Sequence, residues 1–221
     1  MRKQSNVDYP EVIGESLDRN PAHLRMRLAR EAATLIYSGV EKEYKQAKLK
    51  AAKAIGSHFL PTNLEVVIEL DRIADEKEGS RRLERLVQMR KEALTLMQIL
   101  EAYQPLLIGS VWRGTIHYDS DIDIAVYHDA PEDILKVLTE EGIRMLQTEN
   151  VAVTKKGKRH GSFHIYAESP TREKMEIKVC TQEEMYRRER CEIYGDEVVG
   201  LRVAELRRIL ENNPTQRFTP F

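Results

Sequence analysis

The 221-residue chain has few cysteines and almost no net charge. Its two cysteines, Cys180 and Cys191, are too few for the disulfide framework of a small secreted protein, and their spacing does not indicate a zinc site. Lys plus Arg (35) nearly balance Asp plus Glu (36), which leaves a formal charge of -1. Because no global field attracts a polyanion, a nucleic-acid partner would need a local basic patch.

Long apolar segments are also lacking. Residues 1–16, MRKQSNVDYPEVIGES, contain no signal-peptide core, and no stretch approaches the roughly 18 apolar residues that span a bilayer. Hydrophobic residues make up 41% of the chain, which is enough for a core without disulfide bonds. We therefore expect a soluble, reduced, cytoplasmic protein with no membrane partner.

The first half of the chain has the composition of helices. It is rich in Ala, Leu, Glu, Lys and Arg, with few Gly or Pro, and predicts three or four helices. One runs from about Pro21 toward Ala54, and another starts after Pro61-Thr62-Asn63 and ends at Gly79. A further helix, Ser80 to Tyr103, is amphipathic, with Arg90 and Lys91 among the positions between its apolar residues. The predicted apolar face contains Leu83, Leu86, Val87, Leu94, Met97 and Leu100.

Strand-like runs begin after Pro105: LLIGS, DIDIAVYH, SFHIYAE and KMEIKVC. Helices are predicted for PEDILKVLTEEGIRML, for MYRRERCEIYG and from Gly200 to Asn212. The expected fold class is α+β, with a helical region (residues 1–103) followed by a small mixed-sheet domain with a C-terminal helix (residues 104–221). The long N-terminal helices could also pack between subunits of a homo-oligomer.

Asp121 and Asp123 are separated by one residue in DIDIAV, whose other positions favour a β-strand. Alternate residues of a strand point to the same face, so we expect their carboxylates to lie close together. Two like charges in a partly dry site repel strongly unless a cation lies between them, and oxygen ligands favour Mg²⁺ or Mn²⁺. An edge strand with an exposed acidic face is the alternative.

A glycine and a serine precede the two acids. Gly109-Ser110 ends an apolar run, and a glycine lets backbone N–H groups approach an anion closely. Ser110 adds a hydroxyl donor, and Arg113 is placed to reach the same phosphates. The spacing of about ten residues from Gly-Ser to Asp-Ile-Asp allows a turn and a loop to connect a phosphate site with a metal site.

These residues resemble a known family. The segment IGSVWRGTIHYDSDIDIAV resembles the signature of the DNA polymerase beta-like nucleotidyltransferase superfamily. Members place a third carboxylate on a neighbouring strand, where Glu176 in KMEIKV is the match; Glu168, before Ser169-Pro170, competes for the role but fits a turn better. The segment HGSFHIYAESPTREKMEIKVC is also similar to the strands around that carboxylate in archaeal CCA-adding enzymes. The resemblance covers about residues 104–180.

The resemblance implies transfer of a nucleoside monophosphate from an NTP to an acceptor hydroxyl, with release of pyrophosphate. Asp121, Asp123 and Glu176 would be the catalytic metal ligands for Mg²⁺ or Mn²⁺, and Gly109, Ser110 and Arg113 would bind the NTP. The acceptor is RNA, a protein or a small molecule. Little length follows residue 180 for a tRNA-handling domain, so CCA addition is not expected. The alternative is a catalytically silent nucleotide-binding or antitoxin-like protein with the same fold.

Two weaker signals lie between the strands. Lys155, Lys156, Lys158, Arg159 and His160 form a basic run that either guides a nucleic acid or is simply a solvated loop. His160, His164 and Tyr166 alternate along the following strand and could line the acceptor or triphosphate site, although a histidine on a strand is more often merely packed.

Overall fold

The computed structural model describes residues 21–155 and 158–220, without the side chains of residues 152–160. The chain divides between Leu70 and Asp71 into two compact units. The sequence-based boundary at residue 104 does not coincide with this division. The reason is that the helix before residue 104 belongs to the hydrophobic core of the second unit.

The first unit is helical. It contains α1 (Pro21–Tyr37), α2 (Tyr44–Ile55) and the start of α3 (Asn63–Glu78). The single helix predicted toward Ala54 is wrong, because the chain turns between α1 and α2 and the two helices pack on each other. Small side chains allow this packing; the buried residues of α1 and α2 are Leu28, Ala29, Ala32, Ala33, Ile36, Ala47, Ala51 and Ala52.

Two reciprocal hydrogen bonds between Thr62 and Glu65 cap the start of α3. The N–H of Glu65 donates to Thr62 Oγ1 (3.1 Å), and the N–H of Thr62 donates to the Glu65 carboxylate (2.6 Å). Arg25 donates two further hydrogen bonds to the same carboxylate, at 2.9 and 3.0 Å. The Arg25 guanidinium lowers the pKa of Glu65 to about 2. This cap confirms the helix start predicted from Pro61-Thr62-Asn63.

The second unit combines helices with one mixed sheet, which confirms the α+β class. Its elements are α4 (Ser80–Ile99), β1 (Leu106–Ile108), α5 (Gly109–Arg113), β2 (Ile122–Tyr127), α6 (Pro131–Glu140), β3 (Arg144–Lys155), β4 (Lys158–Glu168), β5 (Lys174–Cys180) and α7 (Val203–Asn212).

The five strands are arranged in the order β1-β2-β5-β4-β3. Strands β2 and β5 are parallel, and every other neighbouring pair is antiparallel. In this register Asp123 is the partner of Ile108 on one side and of Glu176 on the other. The pairing of β2 with β5 therefore brings two residues that are far apart in sequence next to each other at the middle of the sheet.

Alternate strand residues fill the hydrophobic core of this unit. Ile122, Ile124 and Val126 of β2 are fully buried, whereas the intervening Asp121 and Asp123 remain partly accessible. Helices α4, α6 and α7 contribute to the same core through Leu86, Met89, Leu96, Met97, Leu100, Ile134, Leu138, Leu206 and Ile209. No helix among the described residues is long and apolar enough to cross a bilayer.

Several predicted elements need correction. On α4, Leu83 is 47% exposed and Arg90 is fully buried, the reverse of the expected apolar and polar faces. The helix predicted through Leu146 ends at Glu140, because the chain takes a left-handed turn at Gly142 (φ 69°) before β3 starts. The segment MYRRERCEIYG forms no α-helix; a short 3-10 turn, Gln182–Tyr186, is followed by irregular chain.

Candidate functional site

Three carboxylates converge on the accessible side of the central strands. Asp121 precedes β2, Asp123 lies within it, and Glu176 lies on the adjacent β5. Each offers an oxygen, and these oxygens all lie within 4.8 Å of one another. This spacing suits one or more hard cations that take oxygen ligands, such as Mg²⁺ or Mn²⁺.

The position of Gly109 is dictated by the site. It follows β1 with φ 70°, and a Cβ at this position would lie 1.9 Å from Asp123 Oδ2. The absent side chain therefore leaves room for the Asp123 carboxylate, and the left-handed backbone turns the chain into α5. Glycine here is required by sterics as well as by conformation.

Burial and like charge act together on the two aspartates. Burial raises the pKa of Asp123 well above its ordinary value, and the neighbouring carboxylates of Asp121 and Glu176 raise it further. The pKa of Asp121 is also raised, first by burial and then by Glu176. A bound cation reverses both effects, because it stabilises the ionised carboxylates. The donor set therefore fits a divalent metal.

Glu176 has a side-chain partner that the two aspartates lack within the described residues. Nδ1 of His164, on β4, is hydrogen-bonded to Glu176 Oε1. Nε2 of the same ring lies 2.7 Å from Ser162 Oγ. These residues form a polar chain along β4 that ends at the carboxylate cluster.

The expectation that Arg113 contacts phosphates is not met. Its guanidinium is buried and donates to the Asp196 carboxylate at 2.7 and 3.0 Å, and to the carbonyl of Phe218 at 3.0 Å. It also lies between the rings of Trp112 and Tyr194, 4.3 and 4.2 Å from their centroids. Arg113 anchors α5 to the following chain, and Gly109 and Ser110 remain at the other end of that helix.

Arginines of α4 hold the connection between the Gly-Ser turn and the aspartates. Arg82 Nε donates to the carbonyl of Ile116 (2.6 Å). Arg85 donates to the carbonyls of His117 (2.8 Å) and Ser120 (3.0 Å). A buried carbonyl without a partner is costly, so these bonds fix the course of the loop that ends at Asp121.

Arg90 makes the most extensive of these contacts. It is fully buried and donates to the carbonyls of Val111 (3.1 Å) and Trp112 (2.9 Å) in α5, and of Pro214 (2.7 Å) and Gln216 (2.8 Å) after α7. Burial lowers its pKa to about 10. The segment after α7, which looks too polar to pack, is thus bound to α5.

Glu168 and other residues near the site have contacts of their own. Glu168 pairs with Arg144 at the end of the sheet (3.1 Å), outside the carboxylate cluster. Asp119, in the loop before β2, pairs with Lys174 at the start of β5. Trp112 is buried in the core. The side chains of the basic run at residues 155–160 lie outside the described residues, so its role stays a prediction.

A family comparison agrees with this geometry. The sequence model of the family described as "Nucleotidyltransferase domain" matches residues 86–197, just over half of the chain. No curated protein matches. A solved structure described as a cytoplasmic RNA terminal U-transferase shares 20% identity over 53% of this chain and 34% of its own, with a TM-score of 0.28. The chain thus spans about a third of that protein, and a TM-score this low carries no argument.

The matched range begins within α4 and ends beyond β5, so it includes Gly109-Ser110 and all three clustered carboxylates. This agrees with the superfamily signature seen in the sequence. The chain belongs to the nucleotidyltransferase domain family of the DNA polymerase beta-like superfamily.

Proposed function

We propose that the protein transfers a nucleoside monophosphate from an NTP to an acceptor hydroxyl, using Asp121, Asp123 and Glu176 as ligands of Mg²⁺ or Mn²⁺. The observation that carries this proposal is the convergence of three carboxylate oxygens within 4.8 Å beside a glycine whose Cβ would collide with one of them. An arrangement that raises the pKa of its own acids destabilises the fold, and such sites are commonly functional.

In the proposed reaction the acceptor oxygen attacks the α-phosphorus, and the bond from that phosphorus to the pyrophosphate oxygen breaks in line. When bound, the divalent metal would neutralise the triphosphate and favour ionisation of the attacking hydroxyl. Asp121 and Asp123 hold the nucleotide end of the site, and Glu176 faces the acceptor. Loss of Glu176 should therefore reduce turnover more than NTP binding.

Gly109 and Ser110 supply the proposed phosphate contacts. Gly109 allows the backbone to approach the triphosphate closely, and Ser110 offers its hydroxyl and N–H. Arg113 is left out of this proposal, because Asp196 already binds its guanidinium. The acceptor is RNA, a protein side chain or a small molecule, since one transfer core serves many acceptors.

The test measures pyrophosphate release and label transfer from each of four α-³²P-labelled NTPs, with Mg²⁺ or Mn²⁺, alone and with cellular RNA or protein extract. We expect release by the wild type that depends on the metal, and none by Asp121→Asn/Asp123→Asn. The labelled product then identifies the acceptor class. The matched control is Glu132→Gln/Asp133→Asn, which removes two acids from α6 and should retain wild-type turnover.

The possible results separate two functions. Metal-dependent NTP binding with no release under any acceptor condition would favour a nucleotide-binding protein without catalysis. Absence of NTP binding in a folded wild type would contradict the assignment of the nucleotide-binding site. Circular dichroism of each variant checks that a loss of activity is not caused by unfolding.

A further inference from the structure

The carboxylates of the site are not held in the same way. Glu176 Oε1 accepts a hydrogen bond from His164 Nδ1, and Ser162 Oγ lies against the other ring nitrogen. The side chains of His164 and Glu176 are 13% and 24% exposed, so this contact lies at the floor of an open face and is largely shielded from water. The ring of Tyr166 packs nearby, with its centroid 6.5 Å from that of His164.

One arrangement of protons satisfies the whole chain. With a proton on Nδ1, the His164 ring donates to Glu176, and its unprotonated Nε2 accepts the hydroxyl proton of Ser162. The ionised Glu176 carboxylate can only accept, so it favours the proton on Nδ1, and the Ser162 hydroxyl, which can donate or accept, holds the other ring nitrogen. Oε1 of Glu176 accepts this bond, so Oε2 is the oxygen that keeps both of its lone pairs for a cation.

Core packing does not explain this histidine. Its neighbours in β4, Ile165 and Ala167, point to the opposite face and are the residues that fill the hydrophobic core. His164 lies on the same face as Ser162 and Tyr166, across the strand pair from Lys178. A purely structural role would be served there by many polar residues, whereas a donor placed at Nδ1 serves Glu176 specifically.

We propose that His164 is a positioning residue that fixes the Glu176 carboxylate for metal binding and for the arriving acceptor, with Ser162 holding the second nitrogen of its ring. The expected effect on turnover rests on the proposed transfer function. The positioning of Glu176 rests on the hydrogen bonds of Ser162, His164 and Glu176 alone. It adds to the ligand set a residue that supports one ligand without touching the metal.

The kinetic test compares two substitutions of the same residue. His164→Leu removes the donor at similar size, and His164→Asn restores it, because the amide nitrogen of asparagine occupies the place of Nδ1. We expect His164→Leu to lower kcat about 10- to 100-fold with little change in KM for the NTP, and His164→Asn to recover most of the loss. Ser162→Ala should give a smaller loss.

A matched control is available outside the site. His128 also contacts a carboxylate, with Nε2 2.8 Å from Asp133 Oδ2. His128→Leu removes a histidine–carboxylate contact without touching the cluster and should leave kcat unchanged. Equal loss of kcat in His128→Leu and His164→Leu would overturn the proposal, because it would indicate a general effect on the fold.

Two measurements do not require turnover. The ¹⁵N spectrum of the His164 ring should show the tautomer with its proton on Nδ1, and Glu176→Gln should change it. In a Mn²⁺ titration, His164→Leu should weaken binding severalfold in the wild-type background and have no further effect in Glu176→Gln. Additive losses, or a ring protonated only on Nε2, would overturn the positioning role.

The outcomes keep the two proposals apart. If the wild type binds Mn²⁺ with the expected His164–Glu176 coupling but transfers no nucleotide, the transfer proposal fails and the positioning role stands. If the wild type is active and His164→Leu matches it in kcat and in Mn²⁺ binding, the positioning role fails and the transfer proposal stands.

Discussion

Charged side chains are used in opposite ways in two parts of the α/β unit. Arg82, Arg85 and Arg90 of α4 are surrounded by groups that complement them, namely backbone carbonyls for all three and carboxylates for Arg82 and Arg85. The charges nearest Asp123, by contrast, are two other carboxylates, which raise its pKa. The first arrangement stabilises the fold at a desolvation cost that its hydrogen bonds offset.

The second arrangement destabilises the fold unless a cation or a proton neutralises it. Three acids within 4.8 Å repel one another, and a cation removes that repulsion. The difference suggests a rule for this protein: complemented charges build the scaffold, and uncomplemented charges mark the site. The substitutions below test that rule, from the largest expected effect to the smallest.

The largest effect is expected from Arg90→Met. The substitution keeps much of the buried volume but leaves carbonyls of Val111, Trp112, Pro214 and Gln216 without their donor. We expect the free energy of unfolding to fall by about 3 kcal/mol, since several buried acceptors lose their bonds together. Urea titration followed by circular dichroism measures it. Arg81→Met, on the exposed face of the same helix, is the control and should change stability by less than about 0.5 kcal/mol.

Gly109→Ala should affect activity more than stability. The new Cβ would lie 1.9 Å from Asp123 Oδ2, so the carboxylate or the turn must move. A displacement of about 1 Å at reacting groups can cost roughly 100-fold in rate, and we expect a loss of kcat of this order with weakened Mn²⁺ binding.

Gly142→Ala is the control that introduces backbone strain without a collision between the new Cβ and a neighbouring side chain. Gly142 has nearly the same φ (69° against 70°), but a Cβ there meets nothing within 4 Å. Both variants should lose similar stability, on the order of 1 kcal/mol, and only Gly109→Ala should lose turnover. Normal kcat in Gly109→Ala would contradict the proposed site.

Asp123→Asn should stabilise the metal-free protein while abolishing metal binding. The folded-state pKa of Asp123 is raised, so the stability linked to its protonation is fully present below the unfolded pKa of about 3.9 and is lost as pH rises through the folded pKa. The wild type without metal should therefore gain stability as pH falls through the raised pKa of Asp123 toward its unfolded value of about 3.9.

We expect the free energy of unfolding to change by about 1 to 2 kcal/mol, because the Asp123 carboxylate is largely removed from water and lies beside two like charges. Thermal unfolding in EDTA from pH 8 down to about pH 4 measures it, with Asp123→Asn expected to have a flatter profile than the wild type. A less stable Asp123→Asn protein would mean that the carboxylate is complemented after all.

Glu65→Gln gives the smallest effect and the opposite pH dependence. The pKa of Glu65 is lowered to about 2, so its stabilisation is present above the unfolded value and is lost as pH falls through about 2. Because the side chain is 35% exposed, solvent screening limits the loss to about 0.5–1 kcal/mol at neutral pH. Unfolding profiles of the two proteins should converge in acid; a constant difference down to pH 2 would exclude the charge as the cause.

The carboxylate cluster was accessible to sequence reasoning because two of its members obey a local rule. Asp121 and Asp123 alternate along a strand, and Gly109-Ser110 lies at a spacing typical of the family. Glu176 required the resemblance, since only strand pairing brings it to Asp123. The cytoplasmic setting, the homo-oligomer and the acceptor stay predictions.

The support around the site could not be predicted in the same way. Arg90 in an amphipathic helix indicates a solvated face, because its carbonyl partners lie up to 126 positions away and a carbonyl has no sequence signature. Strand β3 was assigned partly to the preceding helix, since apolar residues continue through EGIRML with no clear break except Gly142. Arg113 was assigned to phosphate because proximity in sequence concealed its distant partner, Asp196.

The parallel pairing of β2 with β5 also bears on the order of folding. The hairpin of β3 and β4 lies between them in sequence and forms by local pairing, whereas Asp123 meets Glu176 only when a long loop closes. Most of the unit can therefore fold before the third acid joins the other two. We expect the repulsion within the finished site to arise only with one of the last contacts that the chain makes.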